Sequence, residues 1–220
     1  MKCSFCLVPI SEMPEEVRVL SLDGVNICSC CLKECNKLLK KDTEDKVITY
    51  NFEASYKINI FYLDSTPELC ARYHCDKHVV TMILKTAQII STVINTYVGF
   101  EQEGLYKSTH KNHPCVLWAG KTYANFTYLL DLLFYLNFEY KYRWNKQKDH
   151  ASYSLIKNYM PDKKAIPLIS TDFSFTPPAL AMPDYCKVEN DPVASYRNYY
   201  NQEKKHIHKW TNREIPEWIV

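Results

Sequence analysis

The chain of 220 residues is 46% hydrophobic and 24% charged, which describes a soluble globular protein with one sizeable domain and room for a small one. A net charge of +2 carries no compositional signature of nucleic-acid binding. The longest apolar runs, ILKTAQIISTVI and YLLDLLFYLNF, are broken by polar residues and no signal-peptide pattern opens the chain, so the expectation is a cytoplasmic protein without a membrane span.

Within residues 1–42, Cys3 and Cys6 form one C-x-x-C pair and Cys28 and Cys31 a second, with 21 residues between them. Six of the ten cysteines lie in the first 35 positions, and clustering at metal-ligand spacing favours a metal over disulfides. Two such pairs suit one tetrahedral structural Zn2+, which a module too small to bury a sufficient core requires. Four cysteines close the coordination shell and leave no position for catalysis. Cys30 sits inside the second pair, so the Cys28/Cys31 choice competes with other pairings, and Cys35 falls on the helix expected to follow. The order of C-x-x-C, VRVLSLDGVNIC, C-x-x-C and a following Cys-Asn-x-Leu-Leu resembles the N-terminal zinc-binding domain of the ClpX unfoldase, with a strand at Val25 to Cys28. The resemblance covers about 40 residues and implies a treble-clef-like module that dimerises or holds a protein partner. No phosphate-binding G-x-x-x-x-G-K-[ST] motif follows, so an unfoldase is excluded.

Residues 43–56 read as a charged linker, and residues 57–220 as a compact helical domain, giving a mainly α protein overall. Residues 1–56 carry 7 basic and 9 acidic groups, and residues 57–220 carry 20 and 16, so the second domain is the cationic one. Ile58 to Leu63 alternates enough for a short strand or an extended lead-in. From Pro67 to Tyr97 the apolar spacing predicts one long amphipathic helix, opened by Ser65 or Thr66 as cap, Pro67 and Glu68. Its first half carries His74, Cys75, Asp76, Lys77 and His78. On one helix His74 and His78 share a face, with Lys85 two turns further along it. Such a group is either a functional site or a solvated stripe or satisfied buried network.

A loop with Lys107, Ser108, Thr109, His110, Lys111, Asn112 and His113 follows, and Pro114 opens the next helix. Near the end of the apolar run that continues to Tyr140, the pattern becomes basic and aromatic: Tyr142, Arg143, Trp144, Lys146. Rings interleaved with cations suit a nucleic-acid surface, although lysine and arginine stems snorkelling over a helix end read the same way. Residues 161–185 are proline-rich and non-helical. Asp191 and Pro192 start a helix bearing Tyr196, Arg197, Tyr199 and Tyr200, and the tail WTNREIPEWIV is expected to pack back on the body.

From Asn59 onward, the motifs NIFYLD, CDKHVV, YK-x-THKNHPC, EY-x-YR, AMPD, YRNYY-x-x-EK and KW-x-x-REIPEW resemble a family of small phage proteins over nearly all of residues 58–218. That family is in turn distantly similar to pyrimidine-dimer DNA glycosylases of the endonuclease V type. Asn112, His113, Pro114 and Trp118 match their N-H-P loop and Trp-bearing helix, and Lys77 and His78 lie where their basic cluster would be. The resemblance implies Schiff-base chemistry at the sugar C1′, performed in those proteins by an N-terminal amine assisted by a glutamate. Here a zinc module precedes the domain, so the Met1 amine is not expected at the site, and Lys85 stands where the glutamate is expected. A lysine, Lys77 or Lys85, is then the candidate amine, made nucleophilic by desolvation beside other cations. Asp76 or a histidine is the candidate acid or base.

Three functions compete. The first is an enzyme acting on a pyrimidine base or nucleotide in DNA through His74, Asp76, Lys77, His78, Lys85, His110 and His113, with Lys107, Lys111, Asn112, Tyr142, Arg143, Trp144, Lys146 and Arg197 holding the nucleic acid. The second is a non-enzymatic phage factor whose zinc module binds a host or phage protein or a second copy of itself. The third is an enzyme with a second metal held by His74, His78, His110 and His113.

Overall fold

The computed structural model describes residues 58–159 and 170–220, together with the backbone of residues 19–22 and 25–28. The chain divides into two units, residues 1–51 and 52–220. In the first unit, β1 (Val19–Leu22) and β2 (Val25–Cys28) form an antiparallel hairpin in which Val19 faces Cys28 and Leu22 faces Val25. The strand expected before the second cysteine pair is therefore present as β2. Cys3, Cys6 and Cys31, the Cys28 side chain and the linker 43–56 lie outside the described residues.

The described part of the second unit is helical, as the apolar periodicity implies. Its helices are α1 (Pro67–Tyr73), α2 (Asp76–Val98), α3 (Pro114–Lys121), α4 (Tyr123–Trp144), α5 (Ala151–Tyr159) and α6 (Pro192–Glu203). Local chemistry sets most boundaries. Proline occupies the first turn of α1, α3 and α6, where its missing N–H costs nothing. His113, Thr122 and Asp191 accept a backbone N–H at the starts of α3, α4 and α6. Gly99 and Asn145 end α2 and α4 in the left-handed conformation. The two long helices, α2 and α4, pack against each other and carry α1, α3 and α5 around them. By length and hydropathy α2 alone among the described helices could cross a membrane, but 67% of that window is buried within the protein, so it is the core helix of the domain.

One local expectation is narrowed, with the strand alternative for residues 58–63 set aside, and one is corrected. Residues 58–63 form no ladder; they run as a buried irregular segment, held by Asn59, whose Nδ2 donates to the Ala181 carbonyl at 2.7 Å. The predicted helix from Pro67 to Tyr97 is two helices, broken at His74 and Cys75, both of which take extended backbone angles. The reason is a charge from elsewhere in the chain. Arg143 on α4 inserts its guanidinium into the break and donates to the carbonyls of Arg72 and His74, each at 2.8 Å. Those carbonyls would otherwise be orphaned at the end of α1. Nothing in the local periodicity encodes a partner that lies 69 residues on.

Candidate active site

The break organises a buried network. Besides the two carbonyls, Arg143 pairs with Asp76 at 3.1 Å and with Glu139 at 2.8 Å, and its side chain is fully buried. Asp76 also accepts the backbone N–H and hydroxyl of Thr211, while Arg213 pairs with Glu139. The C-terminal tail is thereby tied to the start of α2, and Trp210 adds a bond from its indole N–H to the Tyr73 carbonyl at 3.0 Å. Three sequence assignments change. Arg143 has no face for a phosphate backbone, and Asp76 is occupied as a structural acceptor, not placed as an acid or base. Arg197 is similarly committed: it donates to the Leu63 carbonyl, pairs with Asp64, and its guanidinium lies 5.4 Å from the Tyr73 ring and 5.2 Å from the Trp218 ring.

With the helix broken, His74 and His78 no longer share one helical face. Their ring centroids are 6.3 Å apart, and each is held separately. His74 is fully buried, with Nδ1 2.7 Å from the Cys70 carbonyl. His78 opens α2, and its Nδ1 is 2.5 Å from the Tyr200 hydroxyl on α6. Phe61 lies against it at 4.2 Å, between His78 and Tyr199, whose ring is nearly parallel to Phe61 at 5.8 Å. Phe61 holds a φ of 44°, a conformation that a bulky residue adopts only where its surroundings enforce it.

Seven residues make nearly two full turns, so His78, Lys85 and Thr92 succeed one another on one face of α2, about 10 Å apart at each step. Lys85 is half-buried, and no carboxylate among the described residues pairs with it. Burial, then the charge of Lys204, lowers the pKa of its amine. Lys204, just past α6, lies 4.6 Å from the Tyr199 ring, and burial lowers its pKa too. Burial and the charge of Lys204 together favour a neutral Lys85 amine, while Glu203, next to Lys204, acts in the opposite direction on Lys204 itself.

At the far end of the same face, Thr92 accepts the backbone N–H of Thr109 at 3.1 Å and so anchors the second polar cluster. In this loop His110 bonds the Thr109 hydroxyl, and His113 accepts the Cys115 N–H as the cap of α3. Lys107, His110, Lys111 and Asn112 are exposed, as is Lys77 at the other end. The two clusters therefore flank Lys85 and do not converge. About 21 Å along α2 separates His78 from Thr92, too far for histidines of both clusters to share one ion. Among the described residues no group of three His, Cys, Asp or Glu side chains is placed to hold a metal. Of the remaining sequence-assigned residues, Tyr142 and Lys146 are exposed on and just beyond α4, and Trp144 is half-buried against Tyr140.

Compared with family models, curated proteins and solved structures, the chain matches none. The site is therefore defined by its own geometry. Its unanticipated members are Phe61, Tyr199, Tyr200 and Lys204. All four sit inside motifs visible in the sequence, NIFYLD and YRNYY-x-x-EK, but only the fold brings these motifs to the face of α2.

The buried histidines make stability pH-dependent. Burial pushes His74 down to about 4, with Arg143 adding to the fall. Burial, His74 and Lys204, Lys85 and Lys77 hold His78 well below its ordinary value. On unfolding both return to about 6.5 and take up protons first, so stability is full above that pH and is lost as the pH falls towards 4. His74 alone costs about 2 kcal/mol at pH 5. Urea unfolding at pH 7.5 and pH 5 should show the midpoint falling on acidification, with a flatter dependence in His74→Gln. Equal midpoints for the wild type would contradict the burial of neutral histidines.

Proposed function

We propose that this is a phage-type, DNA-associated protein of the cytoplasm that acts on pyrimidine bases or nucleotides in DNA, with Lys85 as its amine nucleophile. The observation that carries this reading is the half-buried Lys85 beside Lys204, unpaired by any carboxylate among the described residues and flanked on one helix face by both polar clusters. A neutral Lys85 amine attacks the sugar C1′, and the N-glycosidic bond breaks with its electron pair leaving on the base, which takes a proton. The resulting N,O-acetal then opens: the C1′–O4′ bond breaks with its electron pair on O4′, which takes a proton, as the Lys85 nitrogen gives up its proton and forms the C1′=N imine. His78 and Tyr200, joined by a hydrogen bond, supply a path for that proton. Exposed Lys77 at one end of the face and Lys107, Lys111 and Asn112 at the other provide phosphate contacts. Borohydride reduces an imine to a stable amine. Trapping on duplexes carrying damaged or modified pyrimidines should therefore give a protein–DNA adduct that survives in Lys77→Ala and disappears in Lys85→Ala. Absence of an adduct on every substrate would remove this chemistry and leave the reading of a non-enzymatic binding factor.

The N-terminal module is assigned a structural zinc held by Cys3, Cys6, Cys28 and Cys31, on the strength of their spacing. Its proposed role is to hold a protein partner or a second copy of the chain. Metal analysis of the purified protein should return one zinc per chain and a loss of that zinc in Cys3→Ser. Two metals per chain, or none, would contradict the assignment.

A further inference from the structure

The outer face of α4 carries an aromatic row that the site on α2 does not use. Phe134, Phe138 and Tyr142 follow at steps of four residues and are 50%, 53% and 49% exposed. The rings of Phe138 and Tyr142 lie within 9° of parallel, with centroids 6.4 Å apart, and the Arg213 guanidinium lies 4.0 Å from the Tyr142 ring. Beside the row runs a groove of about 540 Å³, lined among others by Lys141, Lys146, Tyr153 and Lys157. Exposed Glu68 borders Phe134 and Phe138 without lining this groove, and two other nearby acids are engaged. Asp149 is shared by Lys141 and Lys157, and Glu139 is buried between Arg143 and Arg213. Lys146 has no ion-pair partner among the described residues and is exposed.

We infer that this ridge is a docking site for an unpaired nucleic-acid strand, whose bases stack on Phe134, Phe138 and Tyr142 while its phosphates meet Lys146 and Lys157. The charge balance of the groove argues for a polyanion, and the parallel rings argue for planar partners with free faces. A duplex hides its base faces, so the ridge selects an unpaired strand over a paired one. The inference rests on the proposed association with DNA and adds a strand preference and a second surface to it.

The test is fluorescence anisotropy with a labelled twelve-nucleotide oligodeoxynucleotide and its duplex, using wild type, Phe138→Ala/Tyr142→Ala and Lys146→Glu. Two lost stacking partners should weaken single-strand binding by on the order of 30-fold or more. Duplex binding should stay within about twofold, since that contact is sequence-independent and phosphate-led. Lys146→Glu should weaken single-strand binding and flatten its salt dependence. Single-strand binding unchanged by the aromatic double variant overturns the ridge, as does a double variant whose only change is in oligomeric state, which would mark the face as a protein interface. The two proposals fail separately. Ridge-dependent binding without a Lys85 adduct removes only the amine chemistry, and a Lys85 adduct with ridge-independent binding removes only the ridge.

Discussion

Arg143→Ala should lose about 3–5 kcal/mol of stability, the cost of stripping one partner from a buried ion network. Arg143 reaches four acceptors at once: the carbonyls of Arg72 and His74, Asp76 and Glu139. Its removal strips the donor from the Arg72 and His74 carbonyls and leaves Asp76 with only Thr211. Glu139 keeps Arg213, which limits the loss at that end. For a domain of this size the melting temperature should fall by on the order of 10 °C. Arg143→Lys should recover little, because an ammonium cannot reproduce the planar fork that reaches carbonyls on two sides. Thermal unfolding followed by circular dichroism measures this. A melting temperature within about 2 °C of wild type would mean that the break between α1 and α2 is held by packing alone.

Lys85→Met should abolish the borohydride-trapped adduct while leaving the fold intact, because the methionine keeps the apolar stem and removes only the amine. Lys85→Arg should be equally inactive, since a guanidinium stays protonated and cannot attack. Lys204→Met supplies the subtler reading. The Lys204 charge is the second cause of the lowered Lys85 pKa, after burial. Without it the Lys85 pKa rises, the neutral fraction at pH 7 falls, and the rising limb of the trapping rate moves to higher pH. A Lys204→Met profile superimposable on wild type would show that the two lysines do not influence each other in solution. An adduct retained in Lys85→Met would move the nucleophile elsewhere.

Much of the helical domain was legible because periodicity and caps are local. Pro67, Pro114 and Pro192 open helices where expected, and the tail packs back through Trp210 and Thr211. The break at His74 was not legible, since the carbonyls it exposes are satisfied by a residue on another helix. That one contact altered the reading of three positions. His74 became a buried neutral ring, Asp76 a structural acceptor, and Arg143 the link between them. A basic residue in an aromatic run reads the same whether it faces a phosphate or a carbonyl, and only burial separates the cases. Lys85 was visible for the opposite reason. It lies seven residues after His78 on the same helix face, a spacing readable in the sequence, and no carboxylate among the described residues pairs with it.

Lys85 is the proposed reacting amine. The most direct test is to trap the wild-type protein on DNA with borohydride, digest the adduct and map the modified peptide by mass spectrometry. The expected result is a sugar remnant on Lys85, within the segment Lys77 to Gln88. A remnant on Lys77, on any other lysine or on the Met1 amine would contradict it, as would the absence of any modified peptide.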